Sequence, residues 1–208
     1  MGVRVSPRAP YNMTLPLIID DVIPAGYQDA IEADLTKYTF PWLYADDVTY
    51  GSAYGSNAGM SHVAYNFGQD PSEYYPFIMP LTYSIEAASG IKINKLLRIR
   101  VGFLTPRLEL DYAHNAPHVD FLQDHYTACY YVNDSDGDTL MFDKNISDMG
   151  VDINDTTVYN YTTNAAFTLE ARCAPKKGRV FVMNGRQFHA STNPRDFKRR
   201  LVITINWL

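Results

Sequence analysis

A histidine and an aspartate two positions apart, His118 and Asp120, are the side chains best suited to bind a metal. On an extended strand side chains alternate between the two faces, so this pair points the same way. A second histidine completes the triad of two histidines and one carboxylate that holds non-haem iron(II) and leaves coordination positions open. His189, much further along the chain, is the candidate for that place. The pattern predicts an iron(II) site.

Two alternatives compete with this set of ligands. His114 and His118 would share one face of a helix, as paired histidines in zinc enzymes do. Pro117 argues against that helix, because a proline pushes the residue before it towards extended backbone. His62, His114 and His125 also compete with His189 for the third ligand position. The order of the predicted strands favours His189, since its strand can face the one that carries His118.

An arginine near the start of the last strand is the second chemical feature. Alternation places Arg200 and Thr204 on one face of this apolar strand, 198–207, and a buried arginine needs a partner. An internal salt bridge would supply one, and so would a ligand carboxylate held by both arms of the guanidinium. Tyr131 could reach the same ligand from another strand. Arg199 is the alternative anion-binding residue, but it lies on the opposite face if Arg200 points inwards.

The secondary structure predicted to position these residues changes along the chain, from helices in the first part to short strands in the later part. A short strand (15–22) and two helices (24–37 and 72–89, the second closed by Gly90) are predicted first. Asn184-Gly185 is the strongest hairpin signal. Residues 45–60 are expected to contain a loop, and 144–163 to form a long loop at the mouth of the barrel. The later part reads as eight short strands, at 96–104, 115–120, 125–132, 138–142, 165–171, 178–183, 186–191 and 198–207.

This order of elements predicts a mainly β protein with N-terminal helices. Its core would be a double-stranded β-helix, or jelly roll, buttressed by those helices. At 208 residues we expect one domain, with 1–95 as helical support and 96–208 as the core. The net charge of −5 offers no positive field for nucleic acid or an anionic membrane. Cys129 and Cys173 form neither a disulfide framework nor a zinc spacing, so a cytoplasmic location is predicted.

Taken together, these motifs resemble the 2-oxoglutarate/iron(II) dioxygenases, and within them the prolyl 4-hydroxylase-like group with its small phage and bacterial members. The resemblance covers about residues 96–207 and implies that His118, Asp120 and His189 bind iron(II). It also implies a role for four residues in binding 2-oxoglutarate. Arg200 would pair with the distal carboxylate, Thr204 and Tyr131 would donate hydrogen bonds, and Leu140 would pack on the carbon chain.

This chain departs from the family pattern at three places. Lys198 stands where a glycine is common, and Gly137-Asp138 stands where two glycines are common. The spacing from His189 to Arg200 is slightly long, which keeps Arg199 as an alternative. These departures concern the 2-oxoglutarate site more than the metal ligands.

The resemblance further implies the cofactors and the reaction: iron(II), 2-oxoglutarate and dioxygen, with ascorbate optional, acting on an unactivated C–H bond. The expected substrate is a prolyl residue of a peptide or protein, gripped by the aromatic stretch 38–67 and the loop 144–163. Two alternatives stay open, the same chemistry on a small metabolite and a cupin-like metal-binding protein without catalysis. The nucleic-acid demethylase branch is disfavoured, because Asn206 occupies the place of its second arginine.

Overall fold

The computed structural model describes residues 14–48, 58–107, 114–150 and 166–208. Within them the chain forms two antiparallel sheets, one of seven strands and one of three. The strands are β1 (Leu17–Ile19), β2 (Leu43–Ala45), β3 (Gly59–Asn66), β4 (Leu96–Leu104), β5 (Tyr126–Tyr131), β6 (Thr139–Asn145), β7 (Leu169–Cys173), β8 (Val180–Asn184), β9 (Gln187–Ser191) and β10 (Arg200–Trp207). The helices are α1 (Ala25–Leu35), α2 (Tyr75–Ile78), α3 (Pro80–Ser89) and a 3-10 turn, Ile146–Met149.

The order of the strands confirms the predicted jelly-roll core. The large sheet runs β1-β8-β5-β10-β4-β3-β2, and the small sheet runs β7-β6-β9. Strand β10 shows how the layers pack, because Leu201, Ile203 and Ile205 join a core that includes Ile31 of α1. On its other face, Val202 packs into a second cluster with residues of the small sheet. Each fully buried aliphatic side chain contributes about 1.5–3 kcal/mol, so both faces of β10 stabilise the fold.

Both predicted helices are present, but the second is divided into two shorter helices. Helix α1 lies within the predicted range, and α3 ends at Gly90, whose φ of 70° is the left-handed conformation that favours glycine. The predicted single helix 72–89 is divided into α2 and α3 at Pro80, which lacks the N–H that would continue the hydrogen-bond ladder. None of the described helices is long and apolar enough to cross a membrane.

Strands β2 and β3 correct the prediction of an aromatic loop region. Strand β3 pairs with β2 on one side and β4 on the other, and so extends the large sheet beyond the jelly-roll core. The sequence of β3 lacks a strict alternation of apolar and polar residues, so local pattern does not identify it as a strand. Its pairing depends instead on the free edge of β4. Residues 49–57 of the predicted loop, and 151–165 of the predicted loop 144–163, lie outside the described residues.

The hairpin predicted at Asn184-Gly185 is wrong. Strand β8 pairs with β1 and β5 in the large sheet, whereas β9 pairs with β6 in the small one. The chain therefore crosses between the sheets at this dipeptide, since both edges of β8 are already occupied. Glycine is required there for another reason: a Cβ on Gly185 would lie 2.1 Å from Nε2 of His125.

Candidate metal centre

The three predicted metal ligands come together in the structure. One ligand atom each from His118, Asp120 and His189 lies within 4.8 Å of the others. They are the only such group of metal-binding side chains among the described residues. Oδ2 of Asp120 is 3.9 Å from Nε2 of His189. Two imidazoles and one carboxylate are the donor set of non-haem iron(II) sites.

Backbone pairing, rather than a long strand, holds the two histidines side by side. His118 N donates to the carbonyl of His189 at 2.9 Å, and His189 N donates to the carbonyl of His118 at 3.0 Å. The predicted strand 115–120 is reduced to this isolated bridge, and the chain bends at Asp120. Val119 packs in a separate apolar cluster, which agrees with the predicted alternation of faces.

Hydrogen bonds set which nitrogen of each imidazole is available. Nδ1 of His118 lies 2.9 Å from the carbonyl of Ala116, and Nδ1 of His189 lies 3.1 Å from that of Gln187. A carbonyl only accepts, so each Nδ1 carries a proton and Nε2 is the nitrogen left for a metal. Burial lowers the pKa of His189 to about 4. His189 is therefore neutral at neutral pH, the form that binds a metal.

The carboxylate of Asp120 is held by two neighbours that sequence reasoning did not assign. Arg98 Nη2 donates to Oδ1, and Asn206 Nδ2 donates to Oδ2 at 2.9 Å. Burial would raise the pKa of Asp120, but the charge of Arg98, with the Asn206 hydrogen bond, holds it well below its ordinary value. Asp120 is thus an anion before any metal binds. The sequence feature that could have indicated such a partner is Arg98, a charged residue within an apolar strand.

Arg200 is buried and has no carboxylate partner among the described residues. It is 7% exposed, and its Nε donates to the carbonyl of Gly137 at 2.6 Å. Its Nη2 donates to Oγ1 of Thr139 at 2.8 Å. Arg199, the alternative, instead pairs with Glu32 at 3.0 Å on the helix side of the sheet. The strand alternation therefore distinguishes the two arginines as predicted.

The metal ligands and Arg200 open into the same cavity. It has a volume of about 90 Å³ and opens to solvent, and its walls include the triad, Arg200, Thr204 and Thr139. The three predicted metal ligands and a buried arginine thus face one space.

Two residues predicted to contact 2-oxoglutarate, Leu140 and Tyr131, do not line the cavity. Leu140 lies on the face of β6 turned away from the cavity and packs with Val119 and Phe188. Its neighbour Thr139 lines the cavity instead, because side chains alternate along the strand. Tyr131 is fully buried behind Thr139, and its hydroxyl donates to Oγ1 of Thr139 at 2.7 Å. Thr139 was missed because the register of β6 is not visible in the sequence.

The other three histidines considered as metal ligands each make contacts elsewhere in the protein. The ring nitrogens of His62 lie 3.2 Å from the carbonyl of Pro41 and 2.9 Å from Oγ of Ser72. His125 packs edge-on against Phe121. The ring of His114 lies against Phe142. None of these three belongs to the group of metal-binding side chains found in the described part of the chain.

Comparison with known proteins gives a clear result only at the level of structure. No family model matches the chain. No curated protein matches it either. Solved structures do match, and three of them follow.

An oxidoreductase of the 2OG-Fe(II) oxygenase family from Burkholderia pseudomallei has a TM-score of 0.61 at 11% identity, over 92% of this chain and 84% of that one. The epimerase SnoN of nogalamycin biosynthesis, in complex with Fe3+, alpha ketoglutarate and nogalamycin RO, gives 0.54 at 16% identity, over 92% and 78%. A prolyl hydroxylase from Trichoplax adhaerens, in complex with a hypoxia inducible factor peptide fragment, gives 0.53 at 11% identity, over 93% and 83%. The chain has the fold of the 2-oxoglutarate/iron(II) oxygenases.

Proposed function

We propose that this protein is an iron(II)- and 2-oxoglutarate-dependent oxygenase that hydroxylates an unactivated C–H bond. One observation carries the proposal: His118, Asp120 and His189 share a cavity with a buried arginine that forms no salt bridge with a described carboxylate. A metal site alone would suit many reactions. The arginine adds a place for one end of a dicarboxylate whose other end reaches the metal.

The residues present fit iron(II). His118 and His189 each use Nδ1 in a hydrogen bond to the backbone and leave Nε2 for a metal, and Asp120 offers an ionised carboxylate. The histidine orientations and the Asp120 hydrogen bonds are already in place, which is how outer partners orient metal ligands in proteins. A triad of this kind occupies one face of the metal and leaves the opposite face for other ligands.

The residues around Arg200 fit 2-oxoglutarate. A guanidinium binds a carboxylate through two parallel N–H donors. Oγ1 of Thr139 accepts from both Tyr131 and Arg200, so its two lone pairs are used and its own proton remains available to donate. Thr204 stands on the same wall of the cavity. Tyr131 then acts on the ligand through Thr139, and we expect no direct contact from Leu140.

When bound, iron(II) and 2-oxoglutarate together activate dioxygen, giving succinate, carbon dioxide and a hydroxylated substrate. The chain supplies orientation and a partly apolar enclosure that limits water, through Val202 and Leu104 of the cavity wall. The reaction needs no general base, and we assign none. Ascorbate remains an optional reductant in this proposal.

We infer a prolyl residue of a peptide or protein as the first substrate candidate. The similarity to a prolyl hydroxylase in complex with a peptide supports it. A small metabolite is the second candidate, supported by the similarity to SnoN in complex with nogalamycin RO. A cupin-like protein without catalysis would have no evident use for Arg200 in the cavity. The single domain and the cytoplasmic location stay predictions.

The test is succinate release by purified protein supplied with iron(II), 2-oxoglutarate and dioxygen. A panel of proline-containing peptides, free amino acids, nucleosides and small acids is compared with protein alone. We expect release that depends on iron and rises with one class of substrate. The double variant His118→Ala, Asp120→Ala should abolish it, whereas Asp70→Ala, at an exposed carboxylate, should not. Unchanged release from the double variant would refute the proposal.

A further inference from the structure

The cavity contains a second arginine that neither the metal site nor the 2-oxoglutarate site uses. Arg100 of β4 lines the cavity together with the triad and Arg200. Its neighbours Ile99 and Val101 are buried in the helix-side core, so alternation turns Arg100 to the opposite face, where the cavity lies. It is the direct cross-strand partner of Thr204 on β10.

The position of Arg100 separates it from both other arginines of the site. Arg98 is committed to Asp120. Arg200 pairs across the strands with Leu104, four residues beyond Arg100, which corresponds to about 13 Å along the sheet. Arg100 makes contacts of its own within the protein. A guanidinium has five N–H donors, so an arginine that is bonded within the protein can also donate to a ligand.

The wall around Arg100 has a distinct chemical character. Gly102, the next residue on the same face, has no side chain, and a Cβ there would have its nearest neighbour at 4.0 Å. On β4 the wall between the two arginines is therefore bare backbone, and Val202 lies opposite Gly102 on β10. Val202 and Leu104 add apolar surface to the same cavity. This combination suits a ligand with a compact apolar body and a carboxylate.

We propose that Arg100 is an anion-binding residue of the cavity and that it holds a carboxylate of the substrate. This inference rests on the proposed function and narrows its substrate class to a small free acid, or to the C-terminal residue of a peptide, rather than an internal residue. The second source of the same chemistry is 2-oxoglutarate, whose carboxylate near the metal could contact Arg100 instead. The experiment must distinguish these two carboxylates.

The test uses iron(II)-loaded protein without dioxygen and measures binding by calorimetry. After saturation with 2-oxoglutarate, the protein is titrated with cyclopentanecarboxylate and separately with cyclopentanecarboxamide, which has the same ring and no charge. We expect the acid to bind the original protein about tenfold or more tightly than the amide, as for a charge-assisted hydrogen bond. Arg100→Gln should reduce that preference to about twofold or less, and Arg100→Lys should keep part of it.

Lys95→Gln is the matched control, because it removes an exposed cation just before the same strand. It should keep the preference for the acid. If Arg100→Gln instead weakens 2-oxoglutarate about tenfold and spares that preference, Arg100 holds the co-substrate and the inference about the substrate is overturned. Equal binding of acid and amide to the original protein, or no binding of either, also overturns it. Succinate release by the same preparation tests the proposed function separately.

Discussion

Arg98 and Asp120 form an ion pair at the wall of the cavity, so a proposed metal ligand is oriented by a cation from β4. The Arg98 guanidinium lies over the ring of Phe121, 4.9 Å from its centroid, and its Nε donates to Asn206 at 3.2 Å. Asn206 in turn holds the other oxygen of Asp120. The carboxylate is therefore positioned from both sides by partners that are themselves held in place.

Replacing Arg98 tests whether this pair prepares the site for metal. Arg98→Met leaves Oδ1 of Asp120 without its donor, and we expect iron(II) affinity to fall about tenfold to a hundredfold, as for other partners of metal ligands. Equilibrium titration with iron(II) under anaerobic conditions measures it. Arg186→Gln removes a surface pair with Asp124 and serves as the control. Equal affinity in the two variants would mean that Arg98 does not position Asp120.

The lowered pKa of His189 predicts that the stability of the metal-free protein depends on pH. Its pKa is about 4 when folded, against 6.5 for the ordinary group. A lowered folded pKa means that stability is fully present above pH 6.5 and is lost as the pH falls towards 4. The loss is on the order of 3 kcal/mol at most. Urea unfolding between these pH values should show a smaller loss for His189→Gln, and an identical loss in both proteins would contradict the assignment.

The neighbouring arginines of β10 provide a paired test of the anion site. Arg200→Gln removes the buried guanidinium, and we expect 2-oxoglutarate affinity to fall about tenfold to a hundredfold, the range for a hydrogen bond to a charged group. Arg199→Gln removes only the pair with Glu32 and should leave that affinity unchanged. Calorimetric titration of the iron-loaded proteins measures both. The reverse result would assign the site to Arg199.

Thr139 and Leu140 test the register of β6. Thr139→Val removes the hydroxyl that links Tyr131 to Arg200, so we expect weaker 2-oxoglutarate binding and about 1–3 kcal/mol less stability. Leu140→Met keeps the apolar volume on the far face of the strand and should leave binding unchanged. Binding and urea titrations measure the two effects. A larger binding defect in the Leu140 variant would show that Leu140 contacts the ligand.

Local patterns in the sequence determined more of the site than of the sheets. His118, Asp120 and His189 were predicted from residue type and spacing, and all three meet in the structure. The faces of β10 followed from alternation, which depends only on neighbours along the chain. Helix α1 and the Gly90 end of α3 were recognised from equally local signals.

Tertiary structure decided which strands pair and therefore which side chains face the cavity. The sequence pattern around Asn184-Gly185 is typical of a hairpin. However, β1 and β5 pair with both edges of β8, so β9 pairs with β6 in the other sheet. The roles of Arg98 and Thr139 depend in the same way on the partners of their strands. A strand's periodicity is a property of its own residues, but its register and its partners depend on which edges elsewhere are free. That dependence on distant residues is why the candidate ligands could be proposed from the sequence, whereas the hydrogen-bond network around them could not.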